Sequence, residues 1–284
     1  TNRERKFVRH TVVFFILIVC NCGGLLLPLG DPPLFLGYLN GVPFLWTLSL
    51  WRSWLVVNGS LLALYFAWDH FYFYAREAPR DIARDETRVH RMRLAGLTPN
   101  GWLLLGIVLS VALLDPGKPV PGTAWHPWPY LREAVQLGLV AVSLLATPPT
   151  LRAHHGFNYG PILEVACLFL GIFVCMQPAL EILSVRGAEL GLKSAASFYW
   201  TSGALSGVLD NAPTYLVFFK AAEALTGQTA AETSVAGVAV PLLEAISLGA
   251  VLMGAMTYIG NGPNFMVKTI AESAGSSAGT TVAP

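Results

Sequence analysis

Residues 203 to 219, GALSGVLDNAPTYLVFF, place a carboxylate, an amide and a proline inside an otherwise apolar run. No other feature constrains the fold as strongly. A proline inside a helix leaves a carbonyl without its partner, and a carboxylate in hydrocarbon is costly. Composition makes hydrocarbon the setting: of 284 residues, 54% are hydrophobic and 12% charged, against roughly 25% charged in soluble domains. Several apolar runs approach the ~20 residues that cross a bilayer. The chain reads as an all-α, polytopic membrane protein. A net charge of +1 and the lack of a basic-aromatic pattern give no argument for nucleic acid.

The apolar segments fall at 10–45 (interrupted by Gly and Pro), 54–74, 101–115, 134–148, 161–183, 196–225 and 236–272 (again interrupted). The polar stretch AREAPRDIARDETRVHRMR is expected as a loop, as is the small, polar tail ESAGSSAGTTVAP. Cys20, Cys22, Cys167 and Cys175 all lie in apolar segments, so buried free thiols are expected rather than a metal site. His154 and His155 lack further ligands nearby and read as a solvated turn. Glu164 and Glu181 sit seventeen residues apart on one helix, about 25 Å along its axis. Each is a candidate proton relay or an interfacial contact.

Lys and Arg placement sets orientation. If 196–225 enters and leaves on one side, twelve of the eighteen cationic residues share a face, among them the six arginines from Arg76 to Arg93. That face is expected to be cytoplasmic. Two full spans would need about 40 apolar residues, and the stretch offers only 30. A re-entrant hairpin with Asp210 and Asn211 at its tip fits better. Non-helical backbone at membrane depth survives only where it is buried in protein or lines a wet cavity. A carboxylate, an amide and free carbonyls there suit a small hard cation or a proton. The competing reading makes Asp210 a simple cap on the second half-helix.

An internal repeat adds to this. GLLLPLGDPPLFL at 24–36 matches GAMTYIGNGPNFM at 254–266 with a constant offset of 230. Gly24 pairs with Gly254, Gly30 with Gly260, Pro33 with Pro263 and Phe35 with Phe265, while Asp31 faces Asn261, which keeps an oxygen ligand. Each copy sits midway in a long apolar segment and reads as a helix broken by a polar loop. Two broken helices in corresponding positions point to a secondary transporter's binding site.

Together, GGLLLPLGDPPLFLG, SGALSGVLDNAPTYL, GPILEVACLFLGIFVCMQPALEIL and AMTYIGNGPNFMVK resemble the ion-transporter superfamily, in particular its citrate-transporter and NhaD-like sodium/proton antiporter group. The resemblance covers nearly the whole chain. It implies two inverted repeats, each with a re-entrant hairpin and a broken helix, often assembled as a homodimer in the inner (plasma) membrane. The basic opening TNRERKFVRH then reads as a loop between membrane helices. The chain is expected to be an incomplete transmembrane domain, 1–284, holding the end of a first repeat (1–100) and a second repeat (101–284), with the first hairpin missing upstream.

The resemblance assigns Gly23, Gly24, Gly30, Asp31, Pro32 and Pro33 to the first loop and Asp210, Asn211, Ala212, Pro213 and Thr214 to the hairpin tip. Thr257, Gly260, Asn261, Gly262, Pro263 and Asn264 form the second loop. Asp210, Asn211, Asp31 and Asn261 are the expected Na+ ligands, with Asp210 as the principal carboxylate. No cofactor is expected beyond Na+ or H+ as coupling ions, and no enzymatic activity. Where carboxylate carriers show Gly-Thr-Pro-Pro, this chain has Gly-Asp-Pro-Pro at 30–33, which favours Na+/H+ exchange over carriage of citrate or a dicarboxylate. Arsenite export is a more distant reading. An intramembrane aspartyl protease would pair Asp31 with Asp210, but Pro28 occupies the place of a needed glycine. A non-transporting membrane receptor is the remaining reading of another class.

The charge distribution carries its own test. In a background without the four native cysteines, Arg84→Cys should react with an impermeant maleimide only from the cytoplasmic side. Labelling of intact cells from outside would reverse the orientation.

Overall fold

The computed structural model describes residue 5 and residues 7–87, 97–117, 119–120, 122–154, 159–228, 233–257, 260–261, 264 and 267. These residues are predominantly helical. Contacts divide the chain into two compact units, one of residues 1–89 with 163–284 and one of 90–162.

In the larger unit, α1 (Arg9–Phe15) runs into a π-helical turn, Ile16–Asn21, and then into short 3-10 turns at Cys22–Leu26 and Pro28–Gly30. Helix α2 (Pro32–Leu39) follows, opened by two prolines where a missing N–H costs little. After a 3-10 turn, α3 (Trp51–Trp68) continues into a π turn at Asp69–Phe73.

Breaking regular helix at 22–30 releases carbonyls that need partners elsewhere. Side chains from the 3-10 turn at 46–50 and from α3 supply them. Thr47 Oγ1 donates to Leu26 O at 2.8 Å, Trp54 Nε1 to Gly23 O at 3.3 Å, and Asn58 Nδ2 to Cys22 O at 3.4 Å. This explains an inverted helix: Asn58 is the one buried residue of α3, while Val56 and Phe66 are each 67% exposed. The segments flanking α1 and α3 are tied by charge. Arg5 grips Asp69 with two hydrogen bonds of 2.6 and 3.1 Å, and His10 Nε2 lies 2.8 Å from the same carboxylate.

The expected loop at 75–93 is partly helical: α4 spans Pro79–Thr87, with Pro79 at its start and Thr87 Oγ1 donating to Ala83 O at 2.6 Å. Residues 88–93 lie outside the described residues. The polarity that suggested a loop belongs instead to a short polar helix.

The smaller unit contains α5 (Leu97–Leu113), α6 (Leu131–Ala146) and α7 (Pro149–His154). Asn100 Oδ1 accepts from Ser143 Oγ at 2.9 Å and Thr147 Oγ1 at 3.0 Å, which pins α5 to α6. Arg152 caps the end of α6 through the Ser143 and Leu144 carbonyls. His154 therefore ends a helix rather than sitting in a turn, and His155 lies outside the described residues.

Helix α8 spans Gly160–Arg186, followed by α9 (Ala195–Ser206) and α10 (Asn211–Gln228). Strands β1 (Ser234–Val235) and β2 (Val238–Ala239) form a two-stranded hairpin that the all-α expectation does not include. Its turn places Ala236 and Gly237 at positive φ, as a tight hairpin requires. Helix α11 (Val240–Gly254) then packs closely on α9. A Cβ on Gly249 would lie 2.5 Å from Tyr199 O, so only glycine allows this approach. The core between these helices holds Phe198, Tyr215, Phe219, Leu243 and Ile246. A second cluster joins Leu25, Leu34, Leu50 and Val251.

The four cysteines are free; Cys22 is buried and Cys20 half-buried, but Cys167 and Cys175 are exposed on α8. The expectation of burial thus fails for the α8 pair, because an apolar helix here turns much of its apolar surface outward. Among the described residues one helical run, Arg9–Leu26, is long and apolar enough to cross a membrane, and three shorter apolar helices lie at Leu97–Leu113, Phe169–Ile182 and Val240–Gly254.

Asn58→Leu removes the donor to Cys22 O and should lower stability by about 1–3 kcal/mol. Thermal unfolding in detergent reads this. Val56→Ala on the outward face should stay within about 0.5 kcal/mol of the native protein.

Candidate ion-binding site

Two chain breaks meet in the larger unit. One is the 22–31 interruption between α1 and α2, and the other is residues 254–261 after α11. Each is closed by a pair of glycines. A Cβ on Gly24 or Gly30 would collide with the backbone of the other glycine. At the matching positions, a Cβ on Gly260 would lie 2.6 Å from Gly254 O and 2.5 Å from Ser206 O. The offset of 230 that relates the two sequences therefore also relates two backbone crossings, each of which needs glycine for close approach.

Helix α10 begins at the same place. Asn211 N donates to Gly260 O at 3.0 Å, so the start of α10 is fastened to the second loop. Thr257 Oγ1 donates to Gly207 O at 2.7 Å and accepts from Gly260 N at 3.0 Å. Ser206 Oγ donates to Ala250 O at 2.7 Å. The Thr257 hydroxyl serves backbone freed by irregular geometry, whereas Ser206 ties its own segment to helix α11.

A buried network of side chains lies at the centre. Asp31, Asn211, Asn261, Asn264 and Asn21 are all at most 2% exposed. Asp31 Oδ1 accepts from Asn211 Nδ2 and from Asn261 Nδ2, each at 3.1 Å. Asn21 Oδ1 accepts from Asn261 Nδ2 at 2.7 Å and from Asn264 Nδ2 at 3.2 Å. Three oxygens are left over: Asp31 Oδ2, Asn211 Oδ1 and Asn261 Oδ1 are buried with no hydrogen-bond partner among the described residues. Buried polar atoms in folded proteins are normally satisfied by protein, water or an ion, so three such oxygens in one cluster are the atoms free to take a proton, a water or a cation. A cavity of about 440 Å³ adjoins the cluster and is lined by Val13, Ile16, Leu17, Ala255, Met256, Thr257 and Asn264.

The backbone donors around this cluster are already committed. At the start of α2, Pro32 and Pro33 have no N–H, and Leu34 N and Phe35 N both donate to Asp31 O at 3.2 and 3.3 Å. At the start of α10, Ala212 N reaches Asp210 Oδ1 at 3.4 Å, Thr214 N reaches Asp210 O at 3.4 Å, and Pro213 has no N–H. An anion would find no open amide at either helix start, although such starts favour anions in general. Among the described residues neither Asp31 nor Asp210 forms an ion pair. Surplus oxygen and spent donors suit a hard cation.

The expected site residues are distributed as follows. Asp31, Asn211 and Asn261 converge, and Asn264 joins them through Asn21. Asp31, rather than Asp210, holds the central position. Asp210 is half-buried and sits as the cap of α10, with Thr214 Oγ1 returning a 2.9 Å bond to its carbonyl. Ala212, Pro213 and Thr214 form the first turn of α10, and Gly23 gives its carbonyl to Trp54. Gly262 and Pro263 lie outside the described residues, as does the side chain of Glu164. Glu181 is exposed on α8 and belongs to none of these contacts.

Sequence reasoning missed Asn21 and Asn58. Both are amides in apolar segments, a signal as legible as Asn211, but Asn21 lies within Cys-Asn-Cys, where the thiols drew the chemical reading.

A family model described as "Putative citrate transport" matches residues 1–280. No curated protein and no solved structure matches the chain.

The glycine crossings give a stability test. Gly260→Ala must displace backbone and should cost about 1–3 kcal/mol, by analogy with overpacking. Gly59→Ala, in mid-α3 with open space around it, should stabilise by up to about 1 kcal/mol. Thermal unfolding of the two variants should therefore shift in opposite directions.

Proposed function

Because the chain belongs to this citrate-transport family, we propose that it is a membrane-embedded secondary active transporter whose site at Asp31 holds Na+ in competition with H+. The observation that carries the reading is the set of three unpartnered oxygens on Asp31, Asn211 and Asn261. Asp31 Oδ2 can bind a proton or contribute to a cation's oxygen shell, and one occupant displaces the other. That exclusion is the basis of exchange. The two amide oxygens favour the cation without adding charge, so the bound ion leaves the site near neutrality. Asp210 tunes the field from the cap of α10 and is not a direct ligand in this reading.

The surrounding architecture supports membrane embedding. Helix α3 buries its asparagine and exposes Leu55, Val56, Leu62 and Leu64, the pattern of a helix whose outer face meets hydrocarbon. The arrangement proposed is multi-pass, in the plasma membrane, with two broken helices from inverted repeats and a re-entrant hairpin of α9 and α10. Packing of a second copy against the exposed apolar faces would give the homodimer. As a carrier the protein performs no covalent chemistry.

A second reading is favoured by the family's description: citrate, or a related carboxylate, moves as cargo together with the cation. The helix starts at Pro32 and Asn211 do not serve such an anion, since their amides are engaged. It would bind beside the occupied cation, with the cavity near Asn264 as the available space.

The full protein in proteoliposomes separates these readings. An imposed Na+ gradient should drive proton movement seen with a pH-sensitive dye, and Asp31→Asn should reduce it at least tenfold, equivalent to about 1.4 kcal/mol or more. Retention of full exchange by Asp31→Asn would remove that residue from the site. Uptake of labelled citrate that requires Na+, without Na+-driven proton movement, would establish the second reading in place of the first.

A further inference from the structure

We propose that Asn21 is the positioning residue of the cation site, holding the amide of Asn261 with its oxygen toward the ion. The proposal rests on the reading of Asp31, Asn211 and Asn261 as a cation site.

An asparagine side chain can rotate by half a turn and exchange its oxygen for its amino group. At a cation site one orientation coordinates the ion and the other repels it. The orientation is therefore set by what binds the amino group. For Asn261 both N–H groups are engaged, one by Asp31 Oδ1 at 3.1 Å and one by Asn21 Oδ1 at 2.7 Å. With both donors held, Oδ1 is the atom left free, and it is one of the three unpartnered oxygens. The Asn21 contact is the shorter of the two.

Asn21 is itself fixed. Its Nδ2 donates to Asn264 Oδ1 at 2.5 Å and to Ile16 O at 3.0 Å, and its Oδ1 accepts from Asn261 and Asn264. Two donors and two lone pairs are all used, so Asn21 offers nothing to an ion and acts only through its neighbours. The bond to Ile16 O ties the side chain across the π turn of residues 16–21. An extra residue in that turn is what carries position 21 to the mouth of the break. π-Turns of this kind recur at functional sites.

The role is not duplicated in the second half. At the offset of 230, position 21 corresponds to Val251, a buried residue of the apolar core. One amide from the first broken segment thus orients two amides of the second, Asn261 and Asn264. Any movement of the first segment that withdraws Asn21 frees the Asn261 amide to rotate, which links ion affinity to the relative position of the two breaks.

The test uses the full protein in proteoliposomes and Na+ as the probe, with the half-saturating Na+ concentration and the maximal rate of proton exchange measured separately. Asn21→Ala should raise the half-saturating concentration at least tenfold with a maximal rate within about twofold of native, in keeping with the effect of losing outer partners of metal ligands. Asn21→Asp keeps the acceptor for Asn261 and Asn264 but turns the donor toward Ile16 O and Asn264 Oδ1 into an oxygen. Protonated, that oxygen donates to Asn264 Oδ1, and the variant should recover affinity to within about threefold. Should Asn21→Ala fail to fold, the aspartate variant decides, and a tenfold loss of affinity in it overturns the proposal. An unchanged half-saturating concentration in Asn21→Ala, or a fall in maximal rate alone, also overturns it. A native protein that shows no Na+ dependence sinks the cation site itself, an outcome visible before any variant is made.

Discussion

Backbone groups released where a helix stops must find partners inside the protein, and the architecture of the larger unit follows from how they do. Helical turns end at Asn21, at the close of the π turn, and at Gly254, and the chain then crosses itself at Gly24–Gly30 and Gly254–Gly260. Thr47, Trp54 and Asn58 take up the carbonyls of the first break. Thr257, through Gly207 O, and the amide of Asn211, through Gly260 O, do the same around the second. In an apolar surrounding each group left unmatched would cost several kcal/mol by about the same measure as a lost hydrogen bond in hydrocarbon. The breaks and the helices that brace them are therefore a single structure. Neither would persist without the other.

The same accounting decides what the site can hold. Helix starts usually offer open amides, which makes them natural cradles for anions. Here prolines remove some of those donors, and the carbonyl and carboxylate of Asp210 and the carbonyl of Asp31 take most of the others. The side-chain amides point their N–H groups inward, onto Asp31 and Asn21. What they leave without a partner among the described residues is oxygen: Asp31 Oδ2, Asn211 Oδ1 and Asn261 Oδ1. In the proposed reading this pattern favours a cation, on a scaffold whose two kinds of helix end can serve either sign of charge.

Asp210 illustrates how a residue's chemistry depends on its neighbours. Its position beside Asn211 in an apolar run marks it as a ligand in the linear sequence. Folded, it closes the first turn of α10 and leaves the central place to Asp31. Both carboxylates were visible in the sequence, and so was the asparagine that joins them, but which of them the fold would bury at the centre was not. Asn21 shows the converse. Flanked by cysteines and without a counterpart in the second repeat, it gave no periodic signal, and its value arises only from partners 240 and 243 positions away.

The sequence by itself determined the helical class, the glycines and prolines at 24–33 where regular helix stops, and Asp31, Asn211 and Asn261 as polar exceptions in apolar runs. These follow from local physics: glycine and proline interrupt a helix wherever they fall, and an apolar run declares its polar exceptions. The helical character of residues 79–87, the outward face of Cys167 and Cys175, the engagement of the helix-start amides and the orientation of each asparagine were decided by tertiary structure alone. An amide reads the same in sequence whichever way it points. Only the partners brought to it by the folded chain choose between its oxygen and its nitrogen, and in the proposed reading that choice decides which sign of charge the cluster favours.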